Sequence, residues 1–259
     1  SPAESGTQSL DRAMELLRLI AEAPAPPRLT ELAARCGLAV GTAHRLLAGL
    51  ARHGLVSHVA DSKRYRLGLQ LFALAARAGE DGGLVASARP SVLRLAAATG
   101  DCVFLMARSG FDAVCVDRQD GDYTIRTLTG GIGGSTPLGH GDGSLLILAH
   151  LPKEERAVVL SHNKPRIARL GGMAPGIALL DRIRRDGFVY NPMPIIAGVV
   201  GVAVPIRTAR GTILAALGIG GTAARIGQER LSDMLVLLRQ EAAATEARVA
   251  DSSGALAVR

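Results

Sequence analysis

The most constraining stretch of this 259-residue chain is a pair of short helical patterns joined by a glycine and followed at once by a basic hairpin. Thr30 is an N-cap candidate for the first pattern, Glu31-Leu32-Ala33-Ala34-Arg35-Cys36, and Gly37 supplies a left-handed stop. The second pattern spans about 40–53, with Leu46, Leu47 and Leu50 on its inner side and Gly54 closing it. Two helices linked by a few residues around a glycine predict a helix-turn-helix. Ahead of them, Ser9 is placed to cap a helix with Leu10, Ala13, Met14, Leu17 and Ile20 on one face, and Pro24-Ala25-Pro26-Pro27 ends it.

Thr42, His44 and Arg45 lie on the outer face at the N-terminal end of the second pattern, the part of this motif that enters a major groove. Arg45 matches a guanine edge or a phosphate; Thr42 matches a phosphate or a thymine methyl. A strand over 55–59, a polar turn Asp61-Ser62-Lys63 and a strand over 64–69 follow. In the last strand Tyr65, Leu67 and Leu69 share one face, and Arg64 and Arg66 the other. Lys63, Arg64 and Arg66 therefore make a basic wing suited to phosphate or minor-groove contact. Residues 40–70 carry five Lys or Arg against one acid, Asp61. Any one of these arginines alone reads as solvated surface. Together with the helix-turn-helix and the hairpin they predict double-stranded DNA as a partner. The net charge of +7 agrees.

The length favours two domains. Three widely spaced cysteines, Cys36, Cys102 and Cys115, form no disulfide framework or zinc knuckle, which points to the reducing cytoplasm. The first residues lack a basic segment leading into an apolar run, so no signal peptide is expected. The longest apolar stretch, 198–206, is far short of the ~20 residues of a membrane span, and no membrane partner is expected. A linker helix is predicted over 71–77, a hinge over 80–83, and an amphipathic helix over 84–98 with Val85, Val92, Leu93 and Leu95 apolar. Strands are predicted at 102–107, 113–117, 124–128, 187–190, 199–206 and 212–219, and helices at 145–150, 174–186 and 228–248. A sheet flanked by helices results.

Enzyme readings are poor. Gly143-Ser144-Leu145 lacks the Gly-x-Ser-x-Gly frame, and the six histidines show no His-x-x-x-His spacing, so neither a catalytic nucleophile nor a metal is expected. Gly131-Ile132-Gly133-Gly134 is not followed by a helix in dinucleotide register and no Gly-Lys-Ser/Thr exists, so no cofactor is expected.

Ser9-Leu10-Asp11-Arg12-Ala13, Leu29-Thr30-Glu31-Leu32-Ala33, Thr42-Ala43-His44-Arg45-Leu46-Leu47 and Arg64-Tyr65-Arg66-Leu67-Gly68 resemble the IclR family of bacterial regulators, and the resemblance continues to about residue 248. Ala39 departs from it, standing where the family often places a capping Ser. The resemblance implies an α+β protein with a disordered tail at 1–8, a winged helix-turn-helix DNA-binding domain at 9–69, and a linker helix and hinge at 70–83. A GAF-like α/β effector-binding domain at 84–250 and a flexible tail at 251–259 complete it. The family pocket, carried over by position, places Ile125, Leu128 and Thr136 on one wall, Asp142 and Gly143 as backbone donors, and Asn191, Val199, Gly201, Gly218 and Gly220 opposite.

In relatives that bind very small acids an Asp is usual at the position of Asn191, and larger or hydroxyl-bearing residues stand where this chain has Gly201, Gly218 and Gly220. Gly139 replaces a frequent His, and His140 is offered one position later. These departures imply a bulkier, partly apolar organic acid effector, such as an aromatic carboxylate, with His140, Asn191 and Arg126 as polar contacts. Asn191 reads equally as a turn residue before Pro192, and Arg126 as an exposed strand arginine. The implied protein is a ligand-responsive regulator of catabolic genes that binds a palindromic operator as a homodimer, assembled into a tetramer as a pair of dimers. The rival readings are a small-molecule-binding protein or enzyme with a vestigial winged helix, and a winged helix used for protein contact.

Overall fold

The computed structural model describes residues 7–60, 62–79, 83–123, 131–190, 193 and 195–256. The chain divides into two compact units, Ser1–Glu80 and Asp81–Arg259.

The first unit holds helices α1 (Gln8–Glu22), α2 (Leu29–Arg35) and α3 (Val40–Arg52), the antiparallel pair β1 (Val56–His58) and β2 (Tyr65–Leu67), and helix α4 (Leu69–Gly79). Its core gathers Leu16, Leu17, Leu19 and Ile20 of α1 with Leu32, Leu47, Leu50, Val56 and Tyr65. Leu10 and Met14, on the apolar stripe one and two turns earlier, stay exposed. Thr7, not Ser9, precedes α1, and it makes no side-chain cap bond. Thr30 is likewise inside α2; the cap interaction there is Glu31 accepting from the Arg28 amide at 3.1 Å. Gly37 and Gly54 do adopt positive φ at the two helix ends. The second wing strand stops at Leu67 rather than continuing through Leu69, which opens α4 and is 82% exposed.

Gly68 explains that stop. A Cβ there would run into the Gly54 carbonyl and lie 2.9 Å from the Leu55 carbonyl carbon. The Gly68 amide donates to the Leu55 carbonyl at 2.9 Å, so the chain must pass against the end of α3. Gly68→Ala is expected to destabilise this unit by about 2 kcal/mol through overpacking. Calorimetry should show an earlier transition, and an unchanged melt would mean the contact relaxes freely.

The second unit is an antiparallel sheet with helices on both faces. Its strands are β3 (Cys102–Ser109), β4 (Asp112–Gln119), β5 (Ser135–Pro137), β6 (Val189–Tyr190), β7 (Val199–Arg207) and β8 (Ile213–Thr222), in the order β5-β4-β3-β8-β7-β6. Its helices are α5 (Leu84–Thr99), α6 (Asp142–His150), α7 (Lys153–Arg169), α8 (Ile177–Asp186) and α9 (Gln228–Leu256). Alternation along the strands builds two cores. Val200, Val202, Val204, Ala215, Leu217 and Ile219 pack under α5 and α9, whereas Ala203 and Ala216 face α6 and α8. Val92 and Leu95 of α5 are buried; Val85 and Leu93 are exposed.

Helix α7 and strand β5 were not expected. The α7 sequence is largely polar with Pro165 inside it, so it carries little amphipathic signal. Its Asn163 is fully buried and donates to the carbonyls of Phe111 (2.7 Å) and Leu138 (3.0 Å), holding the segment that leads into α6. The strand predicted at 124–128 falls outside the described residues. The final helix runs to Leu256, eight residues past the predicted end.

Candidate functional site

Each unit carries its own candidate site. In the first, α3 is anchored by Ala43, Leu47 and Leu50, which turns His44 and Arg45 outward and leaves Thr42 half-buried at the helix start. Lys63 is exposed in the turn between the wing strands. Arg66 is also exposed, and its Nε donates to Ser57 Oγ across the wing at 3.1 Å. Arg64 is drawn inward instead, its Nη1 donating to the Pro26 carbonyl at 2.7 Å, next to a bridge between Arg28 and Arg64. Arg64 therefore ties the wing to the entry of α2, while Lys63 and Arg66 keep their charges available.

In the second unit a cavity of about 100 Å³ lies between the start of α6 and the α6-facing side of the sheet. A single water occupies about 10–15 Å³ on such a measure, so the space suits a small organic molecule. Gly139 and Gly141 shape the approach to α6 with φ of 102° and 95°, a region that side chains disfavour. Thr136 Oγ1 donates to the His140 carbonyl at 3.0 Å, and Ser144 Oγ to the Gly141 carbonyl at 2.9 Å. The first helical amides, those of Asp142, Gly143 and Ser144, make no backbone bond among the described residues and remain donors at the positive end of α6.

The sheet supplies the floor. Gly201 of β7 pairs with Gly220 of β8, and both line the cavity with Val199. Gly218 sits on the same face, but the Phe104 ring occupies the space above it, where a Cβ would lie 2.5 Å from ring carbons. Thr136, His140, Asp142 and Gly143 also line the cavity, so the structure brings seven of the expected residues together. Ile125, Leu128 and Asn191, with Arg126, lie outside the described residues. Met193, Ile195 and Ile196 add an apolar side that sequence reasoning missed, as it missed Phe104, Met106, Cys115 and Arg118.

Arg118 reaches the cavity because of a β-bulge. Leu105 pairs with Asp117 but Met106 pairs with Cys115, so Val116 is the extra residue. The bulge rephases β4: Cys115 and Arg118 both line the cavity, while Asp117 turns to the other face and accepts from Arg89 at 2.9 Å. Arg118 donates to Asp120 at 2.7 and 2.9 Å. Burial opposes ionisation of Asp120, yet bonds from Arg118 and Cys102 hold its carboxyl below the ordinary value.

Burial sets the charge state of the cavity. It lowers the pKa of His140, keeping the ring neutral near pH 7, and pushes the Asp142 carboxyl up to about 7. Asp142 is partly accessible through the cavity, but the carboxyl is otherwise surrounded by protein. The arrangement can bind a small acid at helix amides and a neutral histidine. Among the described residues no cluster of three His, Cys, Asp or Glu side chains could hold a metal, and no helix is long and apolar enough to cross a membrane.

Comparison with known proteins identifies both parts of the chain. Residues 9–60 match the IclR helix-turn-helix domain, and residues 78–247 match the bacterial transcriptional regulator IclR C-terminal domain. The chain is 27% identical over 239 residues to the transcriptional repressor IclR of Escherichia coli, covering 90% of this chain and 86% of that one. It is 28% identical over 240 residues to the acetate operon repressor of Salmonella typhimurium, covering 90% and 87%. An IclR homolog from Microbacterium hydrocarbonoxydans, solved in complex with 4-hydroxybenzoate, superposes with a TM-score of 0.78 at 25% identity, covering 94% of this chain and 100% of that one.

Proposed function

This chain belongs to the IclR family of bacterial transcriptional regulators, and on that premise we propose that it represses catabolic genes from a palindromic operator until an aromatic or similarly bulky carboxylate enters the cavity beside α6. One observation carries the reading: a winged helix with outward His44, Arg45, Lys63 and Arg66 shares a chain with a helix-capped cavity of about 100 Å³. The second unit serves as the GAF-like effector domain. Its α6 amides and His140 receive the acid group, and Met193, Ile195, Ile196 and Val199 surround the apolar part. The 4-hydroxybenzoate of the Microbacterium relative is an acid of this class.

A palindromic site requires two reading heads related by a two-fold axis. Leu10 and Met14 of α1 and Leu69, Phe72 and Leu74 of α4 are exposed apolar side chains of the DNA-binding unit, available to a second copy. Pairs of such dimers form the tetramer. Effector and operator then bias one equilibrium, so each alters the other's affinity by the same factor.

The test is fluorescence anisotropy with the regulator's own upstream DNA against scrambled DNA over a salt series. Preference for the upstream sequence with a steep salt dependence supports the reading; equal weak binding to both overturns it. Arg45→Ala is expected to weaken binding to the matched operator roughly tenfold to a hundredfold and relax specificity, whereas Arg66→Ala weakens all sequences alike and lowers the salt slope by about 1. Calorimetric binding of glyoxylate or pyruvate, with no bulkier acid bound, would refute the effector class.

A further inference from the structure

We propose that the effector is a hydroxylated acid, and that Asp142 selects it by accepting a hydrogen bond from its hydroxyl. The inference rests on the aromatic-acid reading and adds to it a demand made by this chain's own side chain at the first position of α6. Gly201 of β7 lies so close to the Asp142 carboxyl that a Cβ there would collide with Oδ2 and come within 3.2 Å of Cγ. The carboxyl is thus laid along the glycine floor of the cavity, facing the space an effector fills.

No donor among the described residues satisfies that carboxyl. The hydroxyls beside it are committed elsewhere, Thr136 to the His140 carbonyl and Ser144 to the Gly141 carbonyl. Of the charged and titratable groups on neighbouring elements, Arg118 donates to Asp120, and no hydrogen bond among the described residues joins the His140 ring to Asp142. The sheet amides of Gly201 and Gly220 lie in the plane of the β7–β8 ladder, not toward the cavity. Asp142 is half-buried and its carboxyl opens on the cavity. Above about pH 7, where it is ionised, it is an acceptor only, and an effector that displaces water from the cavity without supplying a donor leaves it unsatisfied at a cost.

A plain carboxylate worsens the position, because it brings a second anion and no donor into the same small space. A ligand that carries a hydroxyl along with its acid group resolves both demands at once: the acid takes the α6 amides, and the hydroxyl donates to Asp142. Hydrogen bonds to charged groups are among the stronger ones, so the hydroxyl has a large effect on affinity. The same logic rejects analogues that lack the donor, as in sites built around a ligand hydroxyl.

Isothermal titration calorimetry of the full-length protein at pH 8, with benzoate and with 2-, 3- and 4-hydroxybenzoate, tests this. At least one hydroxybenzoate is expected to bind about tenfold or more tightly than benzoate. In Asp142→Ala the ratio of hydroxybenzoate to benzoate affinity is expected to fall below about threefold. If the alanine variant does not fold, Asp142→Asn replaces it; the neutral amide keeps the size and only part of the advantage. Equal affinity for benzoate and all three hydroxy acids overturns the inference, as does an advantage that survives intact in the variant measured. Binding of none of the four overturns the aromatic-acid reading as well, which separates the two failures.

Discussion

Asp101→Ala is expected to lower the melting temperature of the second unit by roughly 5–10 °C, the range for uncovering a buried ion pair in a unit of this size. Asp101 is fully buried where α5 turns into β3, and it accepts from Arg225 Nε at 2.6 Å and from Nη2 at 3.4 Å. The same guanidinium donates to the Thr99 carbonyl at 3.0 Å and stacks 3.5 Å over the Tyr123 ring. One pair thus pins the end of α5 to the segment between β8 and α9, 124 residues away in sequence. Removing the acid leaves the arginine without its partner and opens a void beside Gly221, whose Cα faces the carboxyl. Arg225 keeps some contact with solvent, which moderates the loss. Differential scanning calorimetry reads the shift, and a melt within 1–2 °C of the wild type would show that the pair contributes little.

Asp142→Asn is expected to act in the opposite direction, and only above acidic pH. The native carboxyl holds its proton to about pH 7, while in the unfolded chain it ionises near 3.8. Between those values the native state binds more protons than the unfolded state, so stability falls as pH rises through the window and is level above it. The full shift corresponds to roughly 4 kcal/mol by linkage. Water reaching the carboxyl through the cavity reduces this, and about 2 kcal/mol is the expected difference at pH 8. The asparagine variant avoids that loss: its stability should equal the wild type's near pH 4 and exceed it increasingly up to pH 7. His140 works the other way, since its lowered pKa removes stability as pH falls below 6.5, but it is common to both proteins and cancels. Urea titrations of the two proteins from pH 4 to pH 8.5 give the difference directly. A difference independent of pH would mean that Asp142 ionises normally.

The DNA-binding unit was legible to near-residue accuracy, because its signals are local. Gly37 and Gly54 mark helix ends through backbone conformation, Leu47 and Leu50 mark the inner face of α3, and the wing strands are neighbours in sequence. The errors there were also local in kind. Thr30 and Ser9 look like caps but sit inside their helices, and the second wing strand ends two residues early because Gly68 must pass the Gly54 backbone. Arg64 reads as a surface charge, and only the approach of the Pro26 carbonyl shows why it turns inward. In the second unit β3, β4, β6, β7 and β8 were readable from apolar runs, whereas the short β5 and helix α7 were not; α7 presents one buried asparagine rather than an apolar stripe.

What the sequence determined by itself was everything carried by periodicity and turn chemistry: two units, a winged helix-turn-helix and a sheet between helices; the glycines beside a cavity were implied only by the family resemblance. The tertiary structure decided which polar groups face that cavity and in what state. Strict alternation from Cys115 puts Asp117 on the cavity side and Arg118 behind it; the bulge at Val116, created by pairing with β3, reverses them. Asp142 has the sequence signature of an ordinary helix-start acid. Burial pushes its pKa up to about 7, and part of what lies against it is Gly201, 59 positions later in the chain. Helix and turn preferences act over a few residues and so can be read along a chain. Desolvation and strand register are set by groups distant in sequence, and they exist only once the chain has folded.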